Sequence, residues 1–167
     1  AYYYGLFSPV MPDLNFRNPA VTEEMNTVSR AWLTSMGADG FRLDAIRHLI
    51  EEGQVQENTP ATHIWLRNWL QALKGVNLDA MTIGEVWADS EQASSYVGAE
   101  LDMTFEFATA DAMIASVKAG TKDAFVKAQK RVLELYPPNQ YGRFLSNHDQ
   151  TRVMTQLKGD EGAMRSA

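Results

Sequence analysis

Four apolar segments of strand length, GFRLDAI, MTIGEVW, LDMTFEF and YGRFLSN, alternate with helical stretches along this chain. Such alternation marks parallel βα units, because parallel neighbours need a crossover long enough to hold a helix. The helices carry their own boundary signals. Asn18 can cap the first, Pro19 suits its first position, and Val21, Met25, Val28, Trp32 and Met36 recur at helical spacing before Gly37. Thr59 and Pro60 open a second, with Ile64, Trp65, Trp69, Leu70 and Leu73 as its expected buried stripe and Gly75 after it. Residues 110–117 read as a short helix. Residues 121–136 read as a longer one, with Phe125, Ala128, Val132 and Leu135 on one face and Pro137 and Pro138 stopping it. Residues 151–157 open another.

The expected fold class is α/β, a partial barrel of about four parallel strands with flanking helices. A closed (β/α)8 barrel needs eight strands and typically about 250 residues, against four strands and 167 residues here. No linker or low-complexity tract divides the chain, so residues 1–167 are expected to form one domain. Within it, residues 1–18 form an ordered loop and residues 19–167 the βα units.

Composition removes several functions. Without cysteine there is no disulfide, thiolate metal site or cysteine nucleophile. A net charge of −6 disfavours nucleic acid as a partner, since phosphate binding needs a basic face. No apolar run approaches the roughly 20 residues of a membrane span, so no membrane partner is expected. The start AYYYGLF has neither the basic region nor the cleavage pattern of a secretory leader. The absence of cysteine does not set a compartment.

The residues that carry chemistry lie at the C-terminal ends of the expected strands, where parallel α/β folds build their active sites. In GFRLDA, Arg42 and Asp44 are two apart and point to the same side of a strand. A guanidinium beside a carboxylate favours the anion, and an ionised, oriented aspartate suits a nucleophile on a sugar carbon. The pair could equally fix a strand end. In IGEVW, Glu85 follows Gly84 and precedes Trp87. A glutamate in partly apolar surroundings suits a general acid; taken alone, it reads as an exposed strand-end residue beside a core tryptophan.

In FLSNHDQTR, Asn147, His148 and Asp149 end the last strand. His148 and Asp149 could bind a metal, join a triad or hydrogen-bond sugar hydroxyls, and Asn147 or Asp149 could instead cap the next helix. Ser146 lies in no nucleophile elbow, and His48, His63 and His148 show no paired ligand spacing, so no metal site is expected. Together, two carboxylates on successive strands with a third acid and a histidine are what glycoside hydrolysis requires.

In this order, MPDLN, GFRLDAIRH, GEVW and FLSNHD resemble signatures of the α-amylase family of glycoside hydrolases. The resemblance covers essentially the whole chain and places it around strands four to seven of a (β/α)8 barrel. It implies that Asp44 is the nucleophile, Glu85 the acid/base, and Asp149 the aspartate that holds sugar hydroxyls and stabilises the transition state. Arg42 would orient the nucleophile, and His148 would bind sugar at the cleavage point. Arg47 and His48 fall where many members carry Lys-His beside the leaving-group subsites, with arginine at 47 a departure.

The MPDLN form, Met11 to Asn15, resembles members with specificity between starch amylases and oligosaccharide-acting glucosidases. The implied reaction is retaining hydrolysis of α-glucosidic bonds in starch-like α-glucans or maltooligosaccharides, and it needs no cofactor. Calcium-dependent members use the backbone at the His48 position and an earlier asparagine. That earlier signature has no match here, so a complete calcium site is not expected.

Two features stay open. Four strands leave an inner face and two sheet edges uncovered, which favours association. A symmetric homo-oligomer could complete a barrel-like core, or the missing parts could come from another chain. Without the sugar-binding wall of the absent strands, the chain reads either as a working core or as an incompetent fragment serving folding, assembly or carbohydrate binding. Tyr2, Tyr3, Tyr4, Trp87 and Tyr96 read first as packing residues, with stacking on sugar rings as the alternative. Trp32, Trp65 and Trp69 read as packing residues of helical stripes.

Overall fold

A computed structural model describes residues 2–167. The chain forms two compact units. One comprises the chain up to Gly40 together with His48–Ala80, and the other comprises Phe41–Arg47 and Met81–Ala167.

The first unit is a helical pair. Helix α1 (Pro19–Thr34) starts where Asn18 accepts from the Ala20 N–H, with proline in its first turn. Helix α2 (Pro60–Val76) starts in the same way at Thr59, whose hydroxyl accepts from the Thr62 N–H. Both starts agree with the sequence reading. The buried faces are rotated from the expected stripes. In α1 the buried residues are Ser29 and Leu33, while Trp32 is 49% exposed and Met36 and Val28 are also exposed. One position along a helix turns the side chain by about 100°, so Trp32 lies beside the buried line rather than on it.

In α2 the buried line is Thr62, Leu66, Trp69, Leu70 and Leu73, and Ile64 is exposed. Two indoles join the helices by donating across them, Trp65 Nε1 to Thr22 Oγ1 at 2.8 Å and Trp69 Nε1 to Ser29 Oγ at 3.2 Å. This gives Thr22 and Ser29 a role on the α1 face: each supplies an acceptor to an indole N–H, part-buried at Trp65 and buried at Trp69.

The second unit holds a four-stranded sheet in the order β1 (Gly40–Leu43), β2 (Met81–Gly84), β3 (Met103–Phe105) and β4 (Tyr141–Gly142). Its strands follow chain order, as successive right-handed βα crossovers produce. β2 and β3 are parallel with Ile83 opposite Met103, and β3 and β4 are parallel with Thr104 opposite Tyr141. Between and after them lie α3 (Ser90–Ser94), α4 (Phe107–Ala119), α5 (Asp123–Leu135), α6 (Val153–Gln156) and α7 (Glu161–Ser166). Four parallel strands with flanking helices match a partial (β/α)8 barrel.

The strands are shorter than the apolar segments that announced them. LDMTFEF stops pairing at Phe105, because Glu106 becomes the cap of α4: its carboxylate accepts from the Thr109 N–H at 2.6 Å. That helix therefore starts three residues before the expected 110. YGRFLSN pairs only at Tyr141 and Gly142, so Asn147 lies well beyond the strand. The core of this unit includes Val86, Tyr96, Leu101, Phe107 and Val132. Ile114, Val153 and Leu157 form a further cluster.

Candidate active site

The ends of β1 and β2 build the site from the backbone outward. The Glu85 N–H donates to the Leu43 carbonyl at 2.8 Å, and the Ile46 N–H donates to the Glu85 carbonyl at 3.3 Å. These bonds extend the strand pairing one step past β2 and fix where Glu85 starts. Gly84 lets the strand come this close. A Cβ there would lie 2.4 Å from Leu101 Cδ1 and 2.7 Å from Ile46 Cδ1, so any side chain would displace the strand end.

Three donors converge on the Glu85 carboxylate. Oε2 accepts from Arg42 Nη2 at 2.9 Å and from the Ala45 N–H at 3.2 Å, and Oε1 faces Asn147 Nδ2 at 3.5 Å. The same guanidinium donates through Nη1 to Asp44. Arg42 thus spans two carboxylates from adjacent strands and offsets their mutual repulsion. Their surroundings differ: the Glu85 side chain is 8% exposed and that of Asp44 is 72% exposed. Ala45 has φ of 43°, a left-handed conformation for a residue with a Cβ. That turn of the chain directs its N–H toward Glu85, and backbone strain of this kind concentrates at functional sites.

The structure therefore brings Arg42, Asp44 and Glu85 together. His148 and Asp149 lie on a turn, paired with each other at 3.2 Å, and both are exposed. The turn is set by Asn147, whose Oδ1 accepts from the Asp149 N–H at 3.0 Å and whose N–H donates to Gln150 Oε1 at 3.2 Å. Neither Asn147 nor Asp149 caps the next helix, since α6 begins at Val153 after Arg152. Asn147 is the residue of this turn that reaches Glu85, a contact across 62 positions that spacing alone does not reveal.

Trp87 is 49% exposed, with its indole stacked on buried Phe107 at 5.1 Å between centroids and 13° between planes. One aromatic face is packed and the side chain still meets solvent. Arg47 donates to the Trp87 carbonyl, so it supports the loop after β2. His48 belongs to the first unit. There its Nδ1 lies 3.1 Å from the Gln56 carbonyl, and its ring meets Phe7 edge-on at 5.5 Å. Tyr96 is fully buried, which leaves packing as its role, whereas Tyr2, Tyr3 and Tyr4 are exposed. Among the described residues, no three His, Cys, Asp or Glu groups converge as a cation site. Among the described residues, no helix is long and apolar enough to cross a membrane.

Two carboxylates of unequal exposure thus lie under one guanidinium at neighbouring strand ends, on a four-stranded part of a (β/α)8 barrel, an arrangement compatible with the barrel glycoside hydrolases. Residues 1–167 match the model of the α-amylase catalytic domain, and the chain belongs to that family. It is 35% identical over 163 residues to α-amylase 3 of Dictyoglomus thermophilum, covering 95% of this chain and 31% of that protein. It is 32% identical over 156 residues to the trehalose synthase/amylase of Mycolicibacterium smegmatis, covering 89% of this chain and 26% of that protein. Among solved structures, the α-amylase from H. orenii superposes with a TM-score of 0.85 at 35% identity, covering 97% of this chain and 33% of that one. The chain spans about a quarter to a third of the length of these relatives.

Proposed function

We propose that Asp44, Glu85 and Asp149 supply the chemistry for retaining cleavage of α-glucosidic bonds in starch-like α-glucans and maltooligosaccharides. The observation that carries this reading is Arg42, whose one guanidinium engages both Asp44 and Glu85. A retaining pair must hold its carboxyl groups about 5–5.5 Å apart, and a shared planar cation is a compact way to keep two of them close. The relatives add the substrate class, since their names are those of an amylase and a trehalose synthase/amylase.

In the first step, an Asp44 oxygen attacks the anomeric carbon while Glu85 gives its proton to the departing glycosidic oxygen. This forms a glycosyl ester on Asp44 and frees the leaving sugar. In the second step, Glu85 takes a proton from water, the water oxygen attacks the anomeric carbon, and the ester bond to Asp44 breaks. Two inversions give net retention. A sugar hydroxyl in place of water gives transglycosylation by the same route. Asp149 and His148 hold hydroxyls of the reacting ring, and Arg47 and Trp87 serve the neighbouring positions.

The test is turnover of a chromogenic maltooligosaccharide by the protein at its full natural length, beside Glu85→Gln and Asp44→Asn. The expected result is activity lost by at least about 100-fold in each variant, the lower range for a general acid. Activity unchanged by either substitution overturns the assignment. No activity in the parent favours the alternative, a non-catalytic folding, assembly or carbohydrate-binding module.

A further inference from the structure

We propose that Asn147 is a positioning residue for the acid/base, acting through the Glu85 oxygen that, among the described residues, no backbone donor or guanidinium holds. The proposal rests on the reading of Glu85 given above. Each Glu85 oxygen has a different set of partners. Oε2 takes both the Arg42 guanidinium and the Ala45 N–H, whereas Oε1 faces Asn147 Nδ2. A carboxyl group held at one oxygen can still rotate about that contact. A second contact at the other oxygen fixes the plane of the group, and with it the direction in which a proton is delivered.

The orientation of the amide is decided by its other end. Asn147 Oδ1 accepts from the Asp149 N–H at 3.0 Å, so the remaining amide atom, a donor, is the one turned to Glu85. The Asn147 backbone is itself held, its N–H donating to Gln150 Oε1 and its carbonyl accepting from the Gln150 N–H at 3.4 Å. One side chain thus links the oxygen of the acid to the backbone of the aspartate that holds sugar hydroxyls.

The experiment compares two substrates that share a glycosyl part and differ in how much protonation their leaving group requires. Maltosyl fluoride departs with little help from an acid, whereas an alkyl maltoside needs full protonation. Asn147→Asp keeps an oxygen to accept from the Asp149 N–H but turns an acceptor to Glu85, and Asn147→Ala removes both contacts.

In the full-length protein, kcat/KM of Asn147→Asp for the alkyl maltoside is expected to fall by about 10–100-fold, and that for the fluoride by less than about 3-fold. The ratio of the two is independent of how much of a variant folds, so a partly folded Asn147→Ala still reports. A variant that loses both activities by the same factor, or neither, overturns the positioning role while leaving Glu85 as acid. A parent that cleaves neither substrate overturns the functional reading and this proposal with it.

Discussion

Arg42 and Glu85 meet at 2.9 Å across neighbouring strands, and the guanidinium that makes this contact also holds Asp44. A lysine ammonium is a single point of charge and cannot bond two carboxylates in the planar, forked manner of arginine. Arg42→Lys is therefore expected to lower kcat by about 100-fold, the loss that roughly 1 Å of misplacement produces. Steady-state kinetics on a chromogenic maltooligosaccharide reads this, and an unchanged kcat would show that the shared cation is dispensable.

Glu106 is fully buried, with Oε1 accepting from Ser90 Oγ and Oε2 from the Thr109 N–H, each at 2.6 Å. It caps α4 and ties the start of α3 to it. Glu106→Ala leaves a buried hydroxyl and a helix N–H without partners, and is expected to cost about 2 kcal/mol. Urea unfolding with an unchanged m-value measures that cost; a loss under about 0.5 kcal/mol, the low end for a cap, would contradict the role.

Tyr136 is buried against Thr104, with its hydroxyl 3.1 Å from Thr104 Oγ1. Burial, opposed by the Thr104 hydrogen bond and reinforced by the charge of Glu106, raises its pKa above the usual phenol value. The sign follows from linkage. A raised folded-state pKa favours the neutral phenol, so this stability is complete below the unfolded value of about 10 and is lost as pH rises above it. Stability measured between pH 9 and 12 is expected to fall, and the fall should be shallower in Tyr136→Phe. Identical slopes in both proteins would assign the alkaline loss to other groups.

β1 and β4 form the two edges of the sheet, and each pairs on one side only. For the 167-residue chain by itself, unpaired edges favour self-association. Light scattering is expected to give a multiple of 18.7 kDa. A single-chain mass with a cooperative melt would show that the half-barrel buries its own edges.

The parts of this fold legible in the sequence are those encoded locally. Asn18–Pro19 and Thr59–Pro60 announce helix starts, because a side-chain cap and a proline act within one turn. What stayed hidden depends on distant partners. Trp32 lies one position and Ile64 two positions off the buried lines, because each helix face is chosen by what packs against it. Glu106 reads as a strand end until Ser90 and Thr109 are seen to claim its oxygens. Arg42, Asp44 and Glu85 could be placed at strand ends from the sequence, whereas the contact of Asn147 with Glu85 spans 62 residues and leaves no periodic trace.

One donor to Glu85 comes from the main chain at Ala45, in a left-handed turn. Replacing the methyl group there leaves the N–H in place, so an alanine scan passes over the contact and even a serine or asparagine retains it. Proline alone among the natural residues would delete it, and proline cannot adopt a positive φ. This contact is therefore shielded from side-chain replacement: residues at position 45 can change while the geometry offered to Glu85 stays the same.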